Sequence, residues 1–211
     1  TVEAHGGFQG AGIGGGFEGE HDVTVDISGG TVSAYGVQGG AGIGSGAEAN
    51  NERDINVSIT GGTVYAQGSY TASNSSVYYS TAIGAGTQGQ KANVVITGGT
   101  VTANVPYPNG GDFFLHNGYC YKFHALGIPS NKDGGYSIAG NLLVEGGSNE
   151  SNATKAEFAN RGEKSKLNWV RISPCKHEGG LSYTVTEQSH TSHCKFCNHS
   201  ATGDHHADKD G

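Results

Sequence analysis

Basic charge is scarce in this chain. Lys and Arg total 12 of 211 residues against 19 Asp and Glu, the formal net charge is −7, and no basic cluster occurs. A nucleic-acid backbone or an anionic bilayer needs a basic footprint to hold, so neither is an expected partner. No run of about 18 apolar residues exists, and insertion into a membrane is not expected. No leader pattern precedes the first repeat, which reads as a piece cut from a longer chain. Proline is also scarce: with 4 prolines and no Gly-X-Y register, the 38 glycines do not make a collagen. Hydrophobic residues reach only 34%, yet Val, Ile, Thr and Tyr recur in short alternating runs. Featureless disorder lacks such runs.

What is present is repetition. Thr1-Val2-Glu3-Ala4, Thr31-Val32-Ser33-Ala34, Thr63-Val64-Tyr65-Ala66 and Thr100-Val101-Thr102-Ala103 are four copies of one phrase. Between them recurs a second, Gly10-Ala11-Gly12-Ile13-Gly14, Gly40-Ala41-Gly42-Ile43-Gly44 and Thr81-Ala82-Ile83-Gly84. A third ends in Ile27, Ile59 and Ile96 before a Gly-Gly pair, and Leu142-Leu143-Val144-Glu145-Gly146-Gly147 reads as its worn fourth copy. Each phrase alternates apolar with polar, the period of a half-buried strand. Two-residue Asn-Gly or Asp-Gly loops, which hairpins favour, do not mark the reversals. The expected fold class is all-β: a right-handed parallel β-helix of about four units over residues 1–148, preferred to a sandwich of the same strands. Ile27, Ile59, Ile96 and Val144 should stack as one ladder, because one unit alone cannot bury its apolar side.

The repeats lengthen at one corner. From the Thr-Val valine to the following Ile the count is 11, 11 and 19, then 27 if Ile128 belongs to the fourth copy. The insertions, residues 69–80 and 105–124, carry Tyr70, Tyr78 and Tyr79, then Tyr107, Asp112, Phe113, Phe114, His116, Tyr119 and Tyr121. Length added on one face of a solenoid often marks its binding face. Aromatic rings stack on the C–H faces of sugars while Asp and His hold hydroxyls, so these residues are the candidate ligand contacts. Rings packed on one another to shield the coil are the competing reading.

The phrases Ile-Thr-Gly-Gly-Thr-Val and Gly-Ala-Gly-Ile-Gly-Gly-Gly resemble repeats in large surface proteins of anaerobic gut bacteria, and are similar to a carbohydrate-binding β-helix family. The resemblance covers residues 1–148. It implies a secreted or cell-surface module whose partner is a glycan or a host or cell-wall surface ligand. Fold alone does not assign a ligand. A passive spacer is the alternative, and part of a polysaccharide-degrading β-helix enzyme a further one. Catalysis is not expected. No Ser-His-Asp or Cys-His spacing occurs, and nothing fixes Asp112 and Asp133 at the separation that paired glycosidase carboxyls need.

After Gly147 the texture changes. Residues 149–174 form a polar connection that ends in a strand-like Trp169-Val170-Arg171-Ile172, and 175–211 gather three of the 4 cysteines. Cys194-x-x-Cys197 sets two sulfurs on one turn, and Cys175-x-His177 offers a second pair, the donor types a tetrahedral zinc takes. So short a segment has little core, so a structural zinc would supply the missing stability. His177 is the first choice of fourth ligand, with His206 and His190 as alternatives. Disulfide pairing is disfavoured, because it leaves one of three cysteines over. The pattern resembles small ribbon modules appended to gut-bacterial surface proteins, with Tyr183, His190 and His206 at its other marked positions and Asn198 replacing the usual glycine.

Overall fold

The structure is a computed structural model that describes residues 1–48, 53–72, 77–89, 91–106, 113–116, 119–122, 124–127, 135–164 and 167–204. Four repeats follow one another. The first holds β1 (Val2–His5), β2 (Ile13–Gly14) and β3 (Val23–Ile27); the second holds β4 (Thr31–Tyr35), β5 (Ile43–Gly44) and β6 (Ile55–Ile59). The third has β7 (Thr63–Gln67), a hairpin of β8 (Tyr70–Ala72) and β9 (Val77–Tyr79), then β10 (Ile83–Gly84) and β11 (Asn93–Ile96). The fourth has β12 (Thr100–Asn104), a hairpin of β13 (Phe113–His116) and β14 (Tyr119–Lys122), then β15 (Leu126–Gly127) and β16 (Tyr136–Ile138). Beyond them come β17 (Leu142–Gly147), β18 (Thr154–Lys155), the four-residue α1 (Arg161–Lys164) and β19 (Trp169–Pro174). The chain ends in β20 (Leu181–Val185), β21 (Ser189–Cys194) and β22 (Ser200–Asp204). No described helix is long and apolar enough to cross a membrane.

The chain visits three sheets in rotation. The first sheet runs β1-β4-β7-β12, the second β2-β5-β10-β15 and the third β3-β6-β11-β16, and every one of these pairings is parallel. Register follows the repeated phrases: Val2, Val32, Val64 and Val101 align, and so do Ala4, Ala34, Ala66 and Ala103. The alternation then places valine and alanine inward and Thr, Ser or Tyr outward. Val64, Val101, Ile43, Ile83, Ile59 and Ile96 are among the most buried side chains, and one cluster joins residues of all three sheets. Because Ile83 is stacked between Ile43 and Leu126 with no exposed area, Ile83→Ala is expected to cost about 2–5 kcal/mol. Urea unfolding measures this, and a loss below about 1 kcal/mol would be incompatible with a shared core.

Two sequence expectations are corrected. Val144 does not continue the Ile27, Ile59, Ile96 ladder; Ile138 does, opposite Ile96. The reason lies in the glycines. In the first three repeats the second glycine of the pair turns the chain at positive φ, at Gly30, Gly62 and Gly99. Gly146 and Gly147 instead lie within strand β17, which belongs to the first sheet. Likewise the fourth partner of Ile83 is Leu126, not Ile128, which lies outside the described residues. The strand-like stretch Trp169-Val170-Arg171-Ile172 forms β19, which inserts antiparallel between β12 and β17 and sets Ile172 between Val101 and Val144.

Candidate metal centre and the elaborated corner

The C-terminal sheet β20-β21-β22 is antiparallel and thin. All of β20 is exposed, Tyr183 and Val185 by more than half. It has no apolar core of its own. At one end, however, Cys194 and Cys197 are buried, and Cys175 and His177 approach them from the turn that leaves β19. The ligand atoms of these four residues all lie within 4.8 Å of one another. Cys175 Sγ is 3.8 Å from Cys194 Sγ, and Cys197 Sγ is 3.4 Å from His177 Nδ1. A tetrahedral ion bonded at about 2.3 Å to sulfur and about 2.0 Å to nitrogen spaces its ligands by about 3.5–3.8 Å. Both distances match such an edge. A disulfide needs sulfurs at about 2.05 Å, and all three cysteines are free.

Local backbone sets this geometry. His177 adopts the left-handed region at φ 61°, and Gly180 N–H donates to His177 O to close the turn. A side chain at Gly180 would run into the Phe196 ring beside Cys194 Sγ. On the other arm, the Cys194 sulfur accepts the N–H groups of Phe196 and Cys197, and the Cys197 sulfur that of His199. Burial pushes the Cys197 thiol up to about 12, and the neighbouring thiols of Cys175 and Cys194 push the same way. Cys194 is opposed by burial too, but backbone donors and His177 carry it down to about 6. Crowded sulfurs that resist sharing negative charge are what a cation relieves.

The centre is tied to the end of the repeats. Cys175 N–H donates to Asn141 O, Asn198 N–H to Gly140 O, and Phe158 N–H to Lys195 O. Asn198, the departure from the usual glycine, is thus an anchor whose side chain lies over Gly140. Arg161 donates to the carbonyl of Ile138, at the end of the third sheet's last strand, and to that of Ala139 just beyond it. Burial draws its guanidinium down from its ordinary value, while the charge of Cys197 opposes that shift. One cation therefore faces both the strand end and the cluster.

Among the alternative ligands, His206 lies outside the described residues. His190 is paired with Val185 and Gly203, four residues along β21 from Cys194, or about 13 Å at strand rise. A residue that sequence reasoning passed over stands closer: His199 stacks on His177, ring centroids 4.2 Å apart. Only its place two residues after Cys197 could have drawn attention to it.

Both insertions fold as hairpins at the corner between the first and second sheets. In the first, Tyr79 is buried and Tyr70 packs against the core, while Tyr78 is half-buried. Thr87 Oγ1 donates to Tyr79 O and accepts from Tyr79 N–H, fixing the hairpin base. In the second, backbone register sets Phe114 opposite Tyr121 and His116 opposite Tyr119, with Phe113 opposite Lys122. Tyr107 and Asp112 lie outside the described residues.

A family model described as a beta helix repeat matches residues 1–17 and 25–47, the span of β1 to β5 apart from the turn before β3 and that strand's first two residues. No curated protein and no solved structure matches the chain.

Proposed function

We propose that this chain is a non-catalytic module of a secreted or surface-attached protein: a right-handed parallel β-helix, closed at its C-terminal end by a structural zinc site, that binds a glycan at its elaborated corner. The rotation of the chain through three parallel sheets and the β-helix repeat match support the fold. Zinc is the ion that three thiolates and one imidazole select, and a site closed by four protein ligands holds a fold rather than a reactive water. The observation that carries the binding reading is the division of labour between the hairpins. β8–β9 is rooted by Tyr79 and Tyr70 in the core, whereas β13–β14, one repeat further, is the longer and more aromatic of the two insertions. In β13–β14 the backbone register sets Phe114 opposite Tyr121 and His116 opposite Tyr119. Tyr70 and Tyr79 then act as foundation rather than as ligand contacts.

A glycan array comparing the wild type with Tyr119→Ala and Tyr78→Ala tests this. Binding is expected, with Tyr119→Ala weakening it about fivefold or more, the effect of losing about 1 kcal/mol of stacking. Tyr78→Ala should act less. Silence across neutral and acidic glycans, or binding indifferent to both substitutions, would favour the second reading, a rigid spacer, which the burial of Tyr79 also suits.

A further inference from the structure

The outer face of the first sheet does not end in open solvent at its C-terminal side. There the metal module stands over it and leaves a cleft of about 370 Å³. Its floor is sheet: Thr100 of β12, Arg171 and Ser173 of β19, and Leu143 of β17. Its wall is the turn Cys175-Lys176-His177-Glu178 together with Phe196, and Lys155 of β18 closes the side. The volume is at the small end of the range typical of ligand sites.

The cleft is unusual in charge for this molecule. A chain of net charge −7 with 12 basic residues brings Lys155, Arg171 and Lys176 to one cavity, from two strands and a turn. Lys195 adds a fourth cation, 4.8 Å from the Phe196 ring centroid, with Lys155 at 5.5 Å. Against them stands Glu178; a dication held by three thiolates would add a single net negative charge. Glu145 is the register neighbour of both Arg171 and Lys155. Even so, among the described residues neither Arg171 nor Lys176 is in an ion pair. Cations gathered from separate elements and left unpaired repel one another, a cost that a bound anion removes. Arg171 supplies a planar fork for two oxygens, Thr100 and Ser173 supply hydroxyls, and Phe196 an apolar wall.

We propose that this cleft binds an oxyanion, a carboxylate or a phosphate or sulfate ester, carried on a body of about one sugar ring. The site is separate from the corner hairpins and does not rest on their binding a glycan. Calorimetric titration of the full, metal-loaded chain at low salt tests it, with glucuronate, glucose 6-phosphate, inorganic phosphate, inorganic sulfate and neutral glucose as probes. At least one of the anions should bind and glucose should not. Comparison of glucuronate with the phosphate ester then shows which oxyanion the fork prefers. Arg171→Gln and Lys176→Gln should each weaken binding by about tenfold, and raising salt from about 20 to about 200 mM should weaken it further. Lys91→Gln, remote and paired with Asp54 at 3.8 Å, should change nothing. Retained metal content and an unchanged amide spectrum show that the variants fold. Anions that bind no better than glucose, or binding that survives both substitutions together, would overturn the proposal.

Discussion

Stripping the metal with a strong chelator is expected to unfold residues 175–204 while leaving the stacked strands β4, β7 and β12 intact. Structural zinc sites in small peptides supply on the order of 10 kcal/mol of apparent binding free energy at neutral pH. The three strands of the module have nothing comparable to replace it, since β20 is exposed along its whole length and burial is concentrated at Cys194 and Cys197. Hydrogen exchange should therefore show protection of β20–β22 collapsing on chelation, with β4, β7 and β12 still protected. Cys197→Ser should reproduce the collapse, and elemental analysis of protein purified without added metal should give one zinc per chain. A module that stays protected when metal-free would refute the assignment. Damage should also spread to β16 and β17, because Cys175 and Asn198 hold the Asn141 and Gly140 carbonyls between those strands.

Substituting Gly84 by alanine should be more destructive than removing any one core side chain. Gly84 sits at φ 130°, a conformation L-residues avoid, and a Cβ there would collide with the Gly127 carbonyl of the next repeat. Gly44 is in the same position one repeat earlier, at φ 138° against Gly84. The methyl would have to force two hydrogen-bonded repeats apart, so a loss beyond about 5 kcal/mol is expected, the far end of what single substitutions do. Gly29→Ala is the matched control, since a Cβ there meets nothing within 4 Å. Its effect in urea unfolding should stay within about 0.5 kcal/mol. Equal sensitivity at Gly29 and Gly84 would contradict the stacking of the second sheet.

The repeats were legible because their signal is local and redundant: the same Val, Ala and Ile recur at the same phase, so each copy checks the others. The corner was legible for a related reason, as length can be added only where the stacking tolerates it. The Cys/His cluster could be read because Cys-x-x-Cys and Cys-x-His bring donors together through the covalent chain alone. Where sequence reasoning failed, the missing information was long-range. Trp169-Val170-Arg171-Ile172 reads as a strand, but nothing in it names β12 and β17 as partners or sets the antiparallel direction. Leu142–Gly147 failed through a false cue, since a Gly-Gly pair is compatible with an extended strand as well as with a turn. Beyond its place two residues after Cys197, His199 carries no mark distinguishing it from the chain's other histidines until its ring is seen against His177.

The antiparallel strand β19 also gives the repeat array a direction of growth. A parallel ladder can accept another copy of itself at either rim, because each new strand meets the hydrogen-bonding pattern its predecessor met. At β12 that symmetry is broken: the edge is taken by a strand running the other way, which in turn holds β17. Any lengthening of the array, by duplication in evolution or by insertion in the laboratory, must then enter ahead of β12. A repeat copied from residues 31–62 and spliced in after Gly62 meets parallel neighbours on both sides. The same copy placed after Asn104 would have to displace β19 and, with it, the strand from which the metal turn departs.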